Sequence, residues 1–199
     1  MKILDLKSPI RKQNIFITLK KMAHKVIKVA PSLLNREFYA NVPTQRLVTD
    51  VSYLYHKNRC LFLSVINNLY DNSILAYQLS RFNNLKLVMD NLADVFTERS
   101  YQCLIQSDQG YQYTTALYKD TLESLGVSIS HSRKENCYDN ACCENFFSHL
   151  KSEHLYLKQA KNDQELIEQI DDYITWYNTD RPQSKLKGMT PIEFRNHTF

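Results

Sequence analysis

The chain has 199 residues, of which 43% are hydrophobic and 23% are charged, and its formal net charge is +4. This length supports one sizeable hydrophobic core with an appendage. No run of eighteen apolar residues exists, which excludes a membrane-spanning helix, and the first segment lacks the apolar stretch of a signal peptide. We therefore predict an intracellular, cytoplasmic protein.

The net charge is distributed unevenly along the chain. Residues 1–46 carry a charge of +8, so residues 47–199 carry −4. A basic segment binds the phosphate backbone of nucleic acids without reading sequence, although such a segment can also be a solvated leader. We predict a basic N-terminal arm at residues 1–44 and a folded domain at residues 45–199.

The apolar pattern of the first half predicts three strands, a helix and a further strand. Runs rich in Val, Ile, Leu and Tyr predict strands at Arg46–Tyr55 and Cys60–Asn67, joined by a hairpin-length connection, and a third strand at Ser73–Ser80. Apolar residues at helical spacing then predict a helix over Leu85–Thr97, followed by a short strand at Gln102–Gln106. Asp108 therefore follows the end of a strand.

The second half predicts further helices around one more strand. Gly126 follows the predicted helix Thr114–Leu125, where a glycine tolerates the left-handed conformation just past a helix end. The remaining predicted elements are a strand at Val127–Ser130, helices from Ala141 and over Gln164–Tyr177, and a capping box at Thr190–Glu193. This order of elements predicts an α/β unit, but it does not determine the order of the strands.

Three separated acidic residues belong to these elements. Asp50 lies in the first strand, Asp108 follows the fourth, and Glu144 lies in the helix from Ala141, with 35 residues between the last two acids. Carboxylates bind Mg²⁺ or Mn²⁺, and two such ions can clamp the oxygens of a phosphoryl transfer. Acids are more often solvated, so the spacing alone is a weak indication. Such surface acids are predicted at Asp71, Asp90 and Asp94.

The residues around these acids are more specific than their spacing. The informative motifs are Ser107-Asp108-Gln109-Gly110-Tyr111, Asn67-Asn68-Leu69-Tyr70, Glu144-Asn145-Phe146-Phe147, Trp176-Tyr177-Asn178, and the C-terminal segment from Arg181-Pro182 to Thr190-Pro191. Together they resemble the integrase core of bacterial insertion-element transposases. The chain is most similar to the frameshift-made, copy-out and paste-in family related to retroviral integrases, from about Lys28 to Arg195.

The resemblance implies a ribonuclease H-like fold of the retroviral integrase type, with a five-stranded mixed sheet flanked by helices. It implies that Asp50 bridges two Mg²⁺ or Mn²⁺ ions, and that Asp108 and Glu144 each complete the coordination of one ion. The implied activity is metal-dependent cleavage and transfer of DNA strands between element ends and target DNA. The family further implies a homodimer or a larger synaptic assembly.

Several residues near Glu144 are predicted to contact DNA. Lys151 lies two turns further along the same helix and matches the basic residue of the family. Asn140, one turn before Glu144, is predicted to contact DNA as well, and Arg133 and Lys134, in the preceding loop, are predicted to bind phosphates.

The chain departs from the family pattern at several positions. The family carries an upstream helix-turn-helix segment, and Met1–Lys7 resembles its final helix, so we expect recognition of the element end to be missing. Four substitutions are Leu47 for tryptophan, Asn68 for aspartate, Gln106 for histidine and Glu135 for glycine. Two alternatives stay open: a truncated, catalytically incompetent transposase that binds DNA or regulates the intact enzyme, and a ribonuclease H-like nuclease that hydrolyses DNA without joining it.

Overall fold

A five-stranded sheet forms the centre of the molecule. The structure is a computed structural model that describes residues 29–34, 39–56, 59–96, 102–132 and 141–197. The strands are β1 Arg46–His56, β2 Arg59–Asn68, β3 Ile74–Ser80, β4 Leu104–Ser107 and β5 Ser128–His131. Their order in the sheet is β3-β2-β1-β4-β5.

The sheet is mixed. β1, β2 and β3 pair antiparallel, whereas β4 pairs parallel with β1 and β5 pairs parallel with β4. β1 therefore joins a meander on one side to a parallel ladder on the other. Since β1, β4 and β5 run in the same direction, their carboxyl ends lie at one edge of the sheet, where ligand sites of α/β sheets gather.

The part of the chain that the structure describes has five α-helices around the sheet: α1 Leu85–Val95, α2 Ala116–Ser124, α3 Ala141–His149, α4 Asp163–Thr179 and α5 Pro191–His197. α3 continues as a π-helix at Leu150–Leu155. Among the helices that the structure describes, none is long and apolar enough to cross a membrane.

The local signals predicted for the helix ends are confirmed. Gly126 has a φ of 75° after α2, in the left-handed region. The capping box before α5 is formed in both directions: the Thr190 N–H donates to Glu193 at 2.9 Å, and the Glu193 N–H donates to the Thr190 hydroxyl at 3.2 Å.

Two hydrophobic cores cover the two faces of the sheet. Because side chains alternate along a strand, Leu47 and Val48 of β1 enter different cores. The core of Leu47 contains residues of α1 and α2, and the core of Val48 contains residues of α3 and α4. Leu34, upstream of β1, is buried in the second core, which shows that part of the chain before residue 45 packs against the folded domain.

The prediction that Asp71 is a surface acid is wrong. Asp71 is fully buried in the turn between β2 and β3. One carboxylate oxygen accepts from the backbone N–H and the hydroxyl of Ser73 at 2.9 and 2.7 Å, and the other accepts from Arg195 of α5 at 2.6 Å. The carboxylate thus joins the turn to α5, 124 residues away, and the apolar pattern around Asp71 contains no sign of that contact.

Two residues of the C-terminal sequence motifs, Asn178 and Arg181, also have structural roles. The Asn178 side chain accepts from the Ile74 N–H at 2.9 Å and donates to the Ile74 carbonyl at 3.0 Å, so that it binds the backbone where the edge strand β3 begins. Arg181 donates two hydrogen bonds to Glu153 of the π-helix, at 2.8 and 2.5 Å. These residues fix helices and strands to one another.

Candidate active site

Asp50 and Asp108 meet at the carboxyl edge of the parallel strands. In the β1–β4 ladder, Val48 pairs with Gln106. Two residues further along each strand lie Asp50, still within β1, and Asp108, just past the end of β4. The register of the sheet therefore places these two carboxylates side by side.

The carboxyl group of Asp50 has a strongly altered acidity. Burial raises its pKa from 3.8 to about 7, and the hydrogen bond that it accepts from the Val51 N–H at 2.7 Å opposes this rise. The charges of Asp108 and Glu144 raise the pKa further, whereas Lys151 lowers it. Asp50 therefore lies within the electrostatic field of Asp108, Glu144 and Lys151.

Asp108 is held by the turn that follows β4. One of its carboxylate oxygens accepts from the Gly110 N–H at 2.8 Å. Gly110 has a φ of −56°, which any residue can adopt. Its importance is spatial, because a Cβ atom at Gly110 would lie 2.9 Å from the bound oxygen of Asp108.

We predict that Gly110→Ala displaces the Asp108 carboxylate and lowers the rate of DNA strand joining about 10- to 100-fold, since a misplacement near 1 Å can have an effect of that size. The measurement is a joining assay run beside thermal unfolding. Gly188→Ala is the control: Gly188 has a φ of +84°, and a Cβ atom there would have no described atom within 4 Å, so alanine strains the backbone away from the site. A Gly110→Ala protein that joins strands at the wild-type rate would contradict this prediction.

Glu144 is placed by the packing of α3 on the sheet. The buried residues of α3 include Cys143, whose thiol donates to the Val48 carbonyl of β1 at 3.6 Å, and Phe146 and Phe147 of the core. These contacts turn Glu144, which is exposed, away from the core and towards the cleft beside Asp50. Ser148 and Lys151 line the same cleft, so these three side chains share one face.

Lys151 lies in the π-helix and reaches β1. Its ammonium group donates to the Ser52 hydroxyl at 2.8 Å. Ser52 is two residues beyond Asp50, on the same face of the strand. Partial burial lowers the pKa of Lys151, and the charge of Asp50 opposes that shift. An ammonium group has three donors, so the contact with Ser52 leaves capacity for a phosphate oxygen.

The π-helix that carries Lys151 is fixed from its outer side. Glu153 accepts from Arg181, and from the Tyr173 hydroxyl at 2.7 Å, and it lies 3.0 Å from Nδ1 of His149. The hydrogen bonds from Arg181 are the main reason that the pKa of Glu153 falls to about 2. Because π-helical turns occur frequently at functional sites, this network is best understood as support for the position of Lys151.

A cleft of about 1040 Å³ opens beside the acids. It begins at Asp50 and Glu144 and continues along β1 as far as His56, with the π-helix on its other side. Lys151 also lines the cleft, so one surface contains carboxylates, a cation and an apolar region.

The three acids offer only oxygen donors, which suit Mg²⁺ or Mn²⁺. Within the residues that the structure describes, no three carboxylate, imidazole or thiol side chains form a ready-made metal site. One oxygen of Asp50 and one of Asp108 are engaged by backbone N–H groups, which leaves their second oxygens for another ligand. The donor set therefore fits divalent ions, and the acids must draw together to hold them.

The other predicted DNA contacts are not located by the structure. Arg133, Lys134 and Asn140 lie outside the described residues, so their roles stay predictions.

Three positions were missed from the sequence. Ser52 could have been found from the alternation of side chains along a strand, because it lies two residues after Asp50. The partnership of Glu153 with Arg181 spans 28 residues and leaves no local pattern. Gln169, a polar residue within the apolar stripe of α4, is buried and lines the cleft.

Sequence comparison agrees with this geometry. Family models described as "Integrase core domain" match residues 40–137 and 144–199. InsK of the insertion sequence element IS150 from Escherichia coli K12 is 40% identical over 177 residues, which are 88% of this chain and 62% of InsK. A transposase-like protein of Haemophilus influenzae is 34% identical over 172 residues, 86% of this chain and 80% of that protein.

The chain belongs to the integrase-core transposases of bacterial insertion elements. The predicted family is thereby confirmed. The match to InsK spans less than two thirds of that relative's length, so the comparison concerns the core that the two chains share.

Comparison of structures confirms the predicted fold of this transposase core. The catalytic core domain of HTLV-2 integrase, solved in complex with magnesium in a trimeric form, superposes with a TM-score of 0.63. The alignment covers 78% of this chain and 99% of the viral core, at 12% sequence identity. The transposase core thus has the ribonuclease H-like fold of retroviral integrases.

Proposed function

We propose that this chain cuts and joins DNA strands during transposition, with divalent metal ions held by Asp50, Asp108 and Glu144. The observation that carries the proposal is the surroundings of Asp50 at the carboxyl edge of the parallel strands. The charges of Asp108, Glu144 and Lys151 all affect the pKa of its carboxyl group. Family membership supports the same activity, because integrase-core transposases act as transposition enzymes.

The proposed cofactor is a pair of Mg²⁺ or Mn²⁺ ions. When bound, such ions activate the attacking hydroxyl and stabilise the leaving oxygen of the phosphate. The HTLV-2 integrase core was solved with magnesium, which supports the choice of ion. Asp50, Asp108 and Glu144 would hold these ions, with Asp50 interacting with both of the other acids.

The protein's own groups would orient the carboxylates and the DNA. The N–H groups of Val51 and Gly110 each hold one carboxylate oxygen, which restricts the rotation of Asp50 and Asp108. Ser52 fixes the ammonium group of Lys151 beside Asp50, where it would bind an oxygen of the DNA backbone.

The proposed partners are the element ends, the target DNA and further copies of the chain. The basic residues 1–44 would contact the DNA backbone as an N-terminal arm, and residues 45–199 would form the catalytic domain. The viral core was solved in trimeric and dimeric forms, which supports an assembly of two or more subunits. The proposed place of action is the bacterial cytoplasm, where the DNA lies.

A strand-joining assay tests this proposal. The protein is incubated with a pre-cleaved element end that bears a free 3′-hydroxyl and with a labelled target duplex, in Mg²⁺, in Mn²⁺ or in a chelator. We expect joined product only with a metal ion. Hydrolysed target without joined product would instead identify a nuclease, and salt-sensitive DNA binding without either product would identify a regulatory fragment.

We predict that Lys151→Met weakens DNA binding and lowers the slope of log K against log salt concentration by about 1, as expected for the loss of one phosphate contact. Binding is measured by fluorescence anisotropy at salt concentrations from about 50 to about 200 mM. Lys119→Met is the matched control, because Lys119 lies on α2 at the other face of the sheet and pairs with Glu123. Equal slopes for the Lys151 variant and the wild type would show that Lys151 does not contact a DNA phosphate.

A further inference from the structure

The cleft continues well beyond Asp50 and Glu144. A strand rises about 3.3 Å per residue, so His56 lies roughly 20 Å from Asp50 along β1. Arg59, which pairs with His56 in the sheet, is 3.5 Å from Asp163 in the first turn of α4. This far part of the cleft therefore lies between the end of β1 and the first half of α4, away from the site of phosphoryl transfer.

Gln169 of α4 is the unusual residue of this region. Its exposed fraction is 3%, and neither its amide nitrogen nor its amide oxygen has a hydrogen-bond partner among the described residues. Buried polar groups in folded proteins are nearly always paired, and an unpaired one destabilises the fold. Gln169 nevertheless occupies the apolar face of α4, between Leu166 and Tyr173, where leucine would pack without that penalty.

The surroundings of Gln169 match the chemistry of a nucleobase. The half-buried Leu155 lines the cleft together with Leu54 and Phe147, which are 2% and 5% exposed, and apolar side chains of this kind suit the flat faces of a base. A side-chain amide presents one donor group and one acceptor, which suit the polar edge of a base. Tyr156, 71% exposed, and Lys158 line the cleft as well and offer a stacking surface and a phosphate contact.

We propose that this part of the cleft binds a single unstacked base of the DNA, a few nucleotides from the scissile phosphate, with Gln169 bonding to the edge of that base. The inference rests on the proposed function, since it takes the DNA strand that crosses Asp50 and Glu144 to continue along the cleft. Enzymes that modify a base flip it out of the duplex into a fitted pocket, where contacts offset the cost of unstacking, and the same exchange would hold the base here.

The test uses pre-cleaved DNA ends that carry the fluorescent base 2-aminopurine at successive positions on either side of the reacting phosphate. Its emission rises when the base leaves the stack. With the full chain bound, we expect a rise of several-fold at one or two adjacent positions. The rise should disappear in Gln169→Leu and persist in Gln164→Leu, a control on the same helix at an exposed position.

Two further readouts separate a binding role from a structural one. The melting temperature of Gln169→Leu should equal or exceed that of the wild type, because the substitution removes an unpaired buried amide. Replacing the nucleotide that responds by an abasic one should slow joining by the wild type about as much as Gln169→Leu does on the normal DNA. When the two changes are combined, their effects on the rate of joining should not be additive.

The proposal would be overturned if the fluorescence rose at none of the positions with the DNA bound, or if a rise persisted in Gln169→Leu. A segment of protein would then be the better candidate to occupy this part of the cleft. The assay also keeps this inference apart from the proposed function. Joining without any fluorescence rise overturns the base pocket alone. A fluorescence rise that depends on Gln169, in a protein that joins no strands, supports the pocket and contradicts the proposed activity.

Discussion

Strand joining is expected to fall by at least about 10³-fold when Glu144 is replaced by glutamine, because the several kcal/mol by which a divalent ion stabilises a phosphoryl-transfer transition state depend on its ligands. Glutamine preserves the size of the side chain and removes its charge. Glu144 is exposed and projects away from the core that holds α3, so the folded structure should not change.

The measurement is the rate of joining at saturating metal, with the dissociation constant for DNA determined in parallel. Glu123→Gln on α2 is the matched control, since Glu123 is an exposed glutamate that pairs with Lys119. We expect wild-type joining from the control and DNA binding within a few-fold of wild type from both variants. Full joining activity in Glu144→Gln would show that Glu144 is not a metal ligand.

Asp50→Asn is expected to stabilise the metal-free protein and to do so increasingly as the pH rises. The folded-state pKa of Asp50 is raised from 3.8 to about 7, so ionising this group opposes folding. The stability that the protonated carboxyl contributes is present below about pH 4 and is lost as the pH rises through about 7. The rise of this pKa from 3.8 to about 7 corresponds to roughly 4 kcal/mol.

Urea unfolding in the presence of a chelator measures this effect. The gain in the free energy of unfolding for Asp50→Asn should widen by about 3 kcal/mol between about pH 5 and about pH 8. Asp90→Asn on α1 serves as the control for removing a carboxylate from the surface. A gain that does not change with pH would mean that burial and the neighbouring acids do not affect Asp50 as described.

This combination has a functional meaning. A carboxylate that opposes folding when ionised, near two other acids, is what we expect if the proposed cation site lowers the stability of the metal-free fold. Divalent ions would favour the ionised form of Asp50, because a nearby positive charge lowers the pKa of a carboxyl group. We therefore infer that the metal-free site is destabilised at neutral pH and that metal binding relieves this.

The elements that were predicted correctly are those with local signals. The apolar alternation of β1 and β2, the glycine after α2 and the capping box before α5 each depend on neighbouring residues, and the structure has all of them. Asp50, Asp108 and Glu144 could be proposed because the words around them resemble a known family, whereas their spacing alone decided nothing.

The elements that were missed depend on contacts between distant parts of the chain. Asp71 is buried because α5 covers the turn after β2, and Gln169 is significant because a cleft opens at its side chain. Lys151 was predicted from its place on the helix, but its contact with Ser52 requires knowledge of how α3 and the π-helix cross β1. Such contacts cannot be predicted from the periodicity of apolar residues. Periodicity indicates which side of a helix or strand is buried, but not which residues pack against that side.

The most direct test of the metal site is strand joining by Asp108→Cys in Mg²⁺ and in Mn²⁺. A thiolate is a poor ligand for Mg²⁺, which prefers oxygen, and Mn²⁺ binds sulfur more readily. We predict no joining in Mg²⁺ and recovery of at least about tenfold in Mn²⁺ over the Asp108→Ala variant, which has no ligand to offer. Full activity of Asp108→Cys in Mg²⁺, or activity in Mn²⁺ no higher than that of Asp108→Ala, would contradict the assignment of Asp108 as a metal ligand.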